Sequence, residues 1–146
     1  MYPDKIIMHH SLTKDSQTVS WNAIRKWHKG EHSDSPYLMD DIGYHYGIEI
    51  IDDKHEILVG RLMTEQGAHT KGQNRSSLGI CLIGNFDNQP PVKEMWDLAV
   101  SLVDSLCNIL YITSNSVYSH NRYAPDRSCP GKAFSMDKFR GDIDNH

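Results

Sequence analysis

HNRYAPDRSCPG, residues His120 to Gly131, places a histidine and a cysteine at the two ends of a short proline-containing loop. Neutral imidazole and thiolate are good zinc ligands, and a loop of this length can bring both to one point. A catalytic zinc site needs three protein ligands and an open fourth position for water. This loop offers two, and IIMHHS (Ile6 to Ser11) near the start of the chain supplies candidates for the third. A lone histidine and a structural cysteine in an ordinary surface loop account for the same residues, because this spacing is not one specific to zinc.

The whole chain sets the bounds on that choice. Its 146 residues are enough for one domain with a real core, and a single domain over 1–146 is expected. Hydrophobic residues at 38% and charged ones at 23% belong to a soluble globular protein. A net charge of −4 leaves no basic footprint for nucleic acid and no polybasic membrane patch. No apolar run approaches a membrane span. Neither nucleic acid nor membrane is therefore expected as a partner, and a monomer is expected. Nine histidines raise the prospect of metal chemistry. Cys81, Cys107 and Cys129 are odd in number and show no paired spacing, which suits a reducing cytosol. MYPDKIIMHHS lacks the charged and apolar regions of a signal peptide, so synthesis in the cytoplasm is expected.

Local patterns predict an alternation of strands and helices. Lys5 to Ser11 reads as a strand buried on both faces, in which His9 and His10 point to opposite sides. Both therefore do not easily reach one metal, and periodicity does not say which one does. Thr13 to Val19 reads as a polar loop. Trp21 to Lys29 shows a helical stripe of Trp21, Ile24, Trp27 and His28, with Ser20 as N-cap and Gly30 after its end. Tyr44 to Ile51 and Glu56 to Arg61 read as a hairpin closed by the four residues Asp52 to His55. In its first strand Tyr44, Tyr46 and Ile48 are expected on one face. Leu62 to Ser77 is a long polar stretch of the kind that carries function. Leu78 to Gly84, LGICLIG, is the candidate central strand. Pro90 and Pro91 are expected to open a long helix with Met95, Leu98, Ala99, Leu102, Val103, Leu106, Ile109 and Leu110 on its apolar face. Val117 to Ser119 is a short strand, and Met136 to Arg140 a last short helix. The order predicts an α/β domain with a central mixed sheet flanked by helices.

Four segments, in the same order along the chain, resemble the zinc-dependent N-acetylmuramoyl-L-alanine amidases, the family of amidase-type phage lysozymes and peptidoglycan recognition proteins. IIMHHS resembles the family's first strand, with its zinc histidine falling on His9. IGYHYGI resembles the G-Y-H/N-aromatic strand, with the active-site tyrosine on Tyr44. GAHTKGQNRSSLGICLIGNF resembles the A-H-x-x-G-x-N-x-x-S-[IL]-G-[IV] block and covers His69, Asn74 and Gly79. SHNRYAPDRSCPG resembles the H-x-x-x-A-P…[CD]-P-G block, with zinc ligands on His120 and Cys129. Two positions depart from relatives. Many phage members have lysine where this chain has Arg127. The branch that recycles cytosolic anhydro-muropeptides has a glutamate where this chain has Cys81, so the resemblance points to the phage-lysozyme-like branch.

The resemblance implies zinc held by His9, His120 and Cys129, a net +1 complex whose water has its pKa lowered toward roughly 7. It implies hydrolysis of the amide between the lactyl group of N-acetylmuramic acid and L-alanine in bacterial peptidoglycan, as a phage or prophage endolysin acting on the wall after release. Arg127 would stabilise the tetrahedral oxyanion, and Tyr44 would orient water or pass a proton toward the leaving amine. His69 and Asn74 would line the groove and hold the glycopeptide. Other readings of the same residues are a peptidoglycan-binding module without chemistry, a cysteine hydrolase built on Cys129 and His120, and an amidase that also binds a polymerase as a regulator.

Overall fold

The computed structural model describes residues 1–13 and 20–146; residues 14–19, most of the loop expected after the first strand, lie outside that description. The chain runs β1 (Lys5–His10), α1 (Trp21–His28), β2 (Tyr46–Ile51), β3 (Lys54–Val59), β4 (Ser77–Leu82), α2 (Lys93–Leu110), β5 (Val117–Ser119) and α3 (Met136–Asp144). Single 3-10 turns lie at Ser114–Ser116 and His120–Arg122. The strands form one sheet in the order β3-β2-β4-β1-β5. β1 is parallel to β4 and β5, β2 is parallel to β4, and only the β2–β3 pair is antiparallel. This is the mixed α/β sheet that the element order predicts, and LGICLIG supplies its middle strand, buried at every position.

Strand alternation sorts the residues onto two faces. Ile6 and Met8 of β1, Ile48 of β2 and Leu78, Ile80 and Leu82 of β4 meet Met95, Ala99, Val103 and Leu106 of α2. Phe134 and the α3 residues Phe139 and Ile143 extend the same cluster. Full burial of such a side chain is worth roughly 1.5–3 kcal/mol, so this face holds most of the apolar stabilisation. The other face is smaller. There Trp21 of α1 packs with Ile42, Cys81 and Ile83. The Ser20 hydroxyl accepts the Ala23 N–H at 3.1 Å, capping α1 as its position predicts. The Glu49 carboxylate accepts the Trp21 N–H at 2.9 Å, which puts a negative charge at the positive end of the helix. Gly30, at φ +74°, takes the left-handed conformation after the last turn.

Four expectations need correcting. The hairpin loop has two residues, not four: Asp52 and Asp53 both adopt positive φ (49° and 64°), and Lys54 already pairs with Ile51. Aspartate tolerates that conformation, and such a turn matches the twist of the strands. Pro90 and Pro91 do not open α2. The chain stays extended through Val92, the N-cap at ψ 156°, and Pro91 is buried instead. Ile109 is 57% exposed and lies off the core face. Finally, Tyr44 does not share a face with Tyr46 and Ile48. Regular pairing of β2 begins at Tyr46, and the preceding residues bend, so Tyr44 packs with Trp21 on the α1 side.

The contact between α1 and the sheet passes through a missing side chain. A Cβ on Gly47 would lie 2.3 Å from the Trp21 ring. Trp21 is 4% exposed and has no room to retreat. Gly47→Ala should therefore destabilise the fold by about 1–3 kcal/mol through overpacking. Urea unfolding should show a lowered midpoint at unchanged m-value; an unchanged midpoint would mean that α1 docks more loosely than this contact implies.

Candidate active site and metal centre

The site lies at the carboxyl end of the parallel strands, where open α/β sheets leave a crevice. Met8 of β1 pairs with Ser119 of β5, so the next residues, His9 and His120, emerge side by side. Their rings are 4.5 Å apart, centroid to centroid. The loop after His120 returns to β1 and is pinned there. The Asn121 N–H donates to the Cys129 carbonyl at 2.8 Å, and the His10 N–H donates to Cys129 Sγ at 3.3 Å. Ligand atoms of His9, His120 and Cys129 all lie within 4.8 Å of one another. His10 faces the other way. Its Nδ1 accepts the Phe86 N–H at 3.2 Å, and its ring sits against Phe86. The choice between the two histidines that periodicity leaves open is thus made by the register of β1.

The donor set suits a metal cation of borderline softness. His9 is buried, and its pKa is held well below the ordinary value by burial first and by the neighbouring His69 and His120. Its imidazole is therefore neutral and has a lone pair to give. The Cys129 thiol is pushed up to about 12 by burial, against the opposing effects of the His10 amide and the Arg127 charge. A buried thiol of this kind is a poor nucleophile by itself. A bound cation is what would ionise it.

The three groups floor an open cleft of about 1020 Å³, whose walls include Tyr44, His69, Asn74, His28 and Arg127. The Tyr44 ring lies 5.1 Å from His9 and 5.5 Å from His28. Burial, followed by the thiols of Cys81 and Cys129, holds its hydroxyl well above the ordinary tyrosine range. Tyr44 therefore keeps its proton and can donate it, but does not serve as a phenolate base. Arg127 is exposed on the rim, and its charge is felt at both His120 and Cys129. Among the described residues it forms no ion pair, with Asp126 or otherwise.

His69 and Asn74 also reach the cleft, but with internal partners. Asn74 Oδ1 accepts the N–H groups of His69 and Thr70, each at 2.9 Å, and so shapes the loop. The His69 ring stands edge-on behind His9. Sequence reading missed His28 and Thr70. His28 lies on the apolar stripe of α1 and reads as core, yet its Nδ1 accepts the Gly43 N–H at 2.9 Å and its ring faces the cleft. Thr70 sits in an irregular loop, where no period distinguishes one polar residue from the next.

Fold and site together define an α/β protein with a candidate metal centre in an open cleft. The family described as N-acetylmuramoyl-L-alanine amidase matches residues 1–132. The endolysin of Escherichia phage T7 is 35% identical over 130 residues, covering 87% of this chain and 80% of that protein. Peptidoglycan-recognition protein SD of Drosophila simulans is 33% identical over 99 residues, 68% of this chain and 52% of that protein. The solved structure of N-acetylmuramoyl-L-alanine amidase LysC from Clostridium intestinale URNW shares the fold at TM-score 0.81 and 23% identity, covering 99% of this chain and 87% of that chain. The chain belongs to the N-acetylmuramoyl-L-alanine amidase family.

The geometry predicts which substitutions disturb metal uptake. His9→Ala, His120→Ala and Cys129→Ser should each lose most of the bound zinc. His10→Ala, Cys81→Ser and Cys107→Ser should keep close to one ion per chain, as read by elemental analysis of the dialysed proteins. Metal lost from His10→Ala but retained by His9→Ala would mean that β1 is shifted by one residue.

Proposed function

We propose that the protein is a zinc-dependent N-acetylmuramoyl-L-alanine amidase that acts as a phage-type endolysin, cleaving the bond between N-acetylmuramic acid and L-alanine in bacterial peptidoglycan. The observation that carries this reading is the convergence of His9, His120 and Cys129 on one point of a cleft large enough for a glycopeptide. Family membership and the phage T7 endolysin relative support it. Zinc at this point would lower the pKa of a water toward roughly 7 and polarise a carbonyl.

The protein's own groups supply the rest. Cys129 gives negative charge to the centre, and the His10 N–H stabilises that charge from behind. Tyr44, holding its proton beside His9, is the donor for the developing oxyanion or the departing amine. Arg127 on the rim brings a fixed positive charge to the oxyanion. Arginine is less suited than lysine to giving up a proton, so its part is electrostatic. Asn74 spends its oxygen on the loop, which leaves its NH2 group as the donor for a ligand on that wall. A cysteine hydrolase is disfavoured by the buried thiol, pushed up to about 12, and by burial of the neighbouring His9 and His120 imidazoles, which weakens them as bases for its proton. The protein would work on the wall after release from the cell that makes it. No helix among the described residues is long and apolar enough to cross a membrane.

Digestion of purified muropeptides, followed by mass spectrometry, tests the reaction. Products with free lactyl ends and released L-alanine peptides are expected, and a chelator should stop their formation. New reducing sugar ends would identify a glycosidase and sink this reading.

The role of Arg127 has its own kinetic signature. Losing one oxyanion contact costs on the order of 3 kcal/mol, or roughly a hundredfold in turnover. Arg127→Ala should lower kcat by about that factor, with little change in KM and no loss of zinc. Arg127→Lys should recover part of the rate. A raised KM at constant kcat would instead mean that Arg127 grips substrate carboxylates.

A further inference from the structure

We infer that His69 is a positioning residue for the metal centre: its ring accepts the outer N–H of His9 and thereby fixes the tautomer in which His9 can bind zinc. The inference rests on the zinc reading of the site given above.

The two nitrogens of His9 have different surroundings. Nδ1 faces the metal position, 3.6 Å from Cys129 Sγ. Nε2 points away from it, 3.0 Å from His69 Nδ1 and 3.3 Å from Thr70 Oγ1. A neutral imidazole carries one proton, on one nitrogen or the other. If Nδ1 is to offer its lone pair to a metal, the proton must sit on Nε2 and needs an acceptor there. His69 Nδ1 is that acceptor only in the tautomer protonated at its own Nε2. The remaining contacts favour that tautomer. His69 Nε2 lies 3.5 Å from Ser77 Oγ, whose hydroxyl donates to the Gln73 carbonyl at 2.8 Å, so the Ser77 lone pairs face the ring. The opposite tautomer of His69 would press a proton onto His9 Nε2 and force the His9 proton toward the metal position.

His45, the other imidazole beside His69, does not compete. Its Nδ1 accepts the Gly79 N–H at 3.0 Å, and its Nε2–H donates to the Glu65 carbonyl at 2.9 Å. Thr70 Oγ1 lies 2.9 Å from His69 Nδ1, so its hydroxyl serves the same junction rather than replacing it. Backbone placement reinforces the arrangement, because Asn74 ties down the N–H groups of both His69 and Thr70.

The space for the ring is also specific. A Cβ on Gly79 would come within 2.5 Å of the His69 ring, and one on Gly67 within 2.6 Å. Two glycines from different segments, one of them in the central strand, leave the volume that His69 fills. A residue held only to touch substrate would not need to be seated so far behind a ligand.

Outer partners of this kind are generally worth 10- to 100-fold in metal affinity. The probe is zinc alone, titrated into the substrate-free full chain against a chromophoric chelator. His69→Phe keeps the ring volume without an acceptor, and should bind zinc about 10- to 100-fold more weakly than wild type. His69→Gln, whose Oε1 can take the His9 N–H, should recover most of that loss. Equal zinc affinity in wild type and His69→Phe, with KM raised, would overturn the inference and leave His69 as a substrate contact. Imidazole 15N shifts of the zinc-loaded wild type test the same point without any substitution. His69 protonated at Nε2 is expected, and protonation at Nδ1 would overturn the inference even if no variant folds. A wild type that takes up no zinc at all would instead remove the reading of the site on which this rests.

Discussion

The parallel register of β1 between β4 and β5 is the constraint on which the cleft depends. It aligns His9 with Cys81 on one side and brings it up beside His120 on the other. Because side chains alternate along a strand, a slip of one residue would turn His9 into the α2 core and present His10 to the cleft. Such a slip is prevented by burial, not by the site. Ile6 and Met8 belong to the large α2 cluster, and both are fully buried. Moving them to the narrower α1 face would forfeit several kcal/mol of apolar burial. The core thus sets the position of His9, the candidate metal ligand, to within one residue.

Burial also sets the charge state of the site. His9, His69 and His45 all lose affinity for protons because burial penalises their charged forms. For His69 the value falls to about 3. Neutral imidazoles can bind a metal, donate and accept, and pack edge to face at close range without repelling one another. The thiol of Cys129 experiences the same low-polarity surroundings in the opposite sense, since its charged form is the anion. A cation at the point shared by His9, His120 and Cys129 would suit both, since the neutral imidazoles could offer lone pairs and the thiolate would be stabilised. Arg127 adds positive charge from the rim, where solvent screens it, and so biases the site without competing for the ligand position.

How much of this can be read from the sequence follows from where each structural determinant lies. Helix α2 is legible because burial on one face imposes a period, which Met95, Ala99, Val103 and Leu106 record directly, and strand β4 because burial on both faces leaves an unbroken apolar run. The hairpin is legible as a hairpin, but its turn is not, since Asp-Asp adopts the paired left-handed conformation without the usual glycine. The face of Tyr44 is misread because alternation holds only inside a regular strand, and the strand starts two residues later. The site residues reverse the balance. Nothing periodic distinguishes His9 from His10, or marks His69 among the polar residues of its loop. Their placement comes from contacts across long separations in the chain, such as His9 to Cys129 and His9 to His69. The four segments that resemble the family single out these residues as candidates, because the order of the segments along the chain carries that spatial information.

Glycine ties the two levels together. In a strand interior glycine gives up side-chain packing and weakens the sheet. Gly47 and Gly79 nonetheless sit in β2 and β4, both pointing to the α1 face. At Gly47 the vacated volume goes to Trp21, which anchors α1 on the sheet. At Gly79 it goes to His69, one ring behind His9 of the candidate metal centre. The α2 face has no such gaps and keeps its full apolar complement. The sheet is therefore asymmetric in function as well as in packing. One face is filled for stability, and the other is hollowed at chosen residues so that a helix and an imidazole can approach the backbone closely. The stabilisation lost on the hollowed face is carried by the α2 cluster, which lets the cleft hold buried polar groups in fixed orientations.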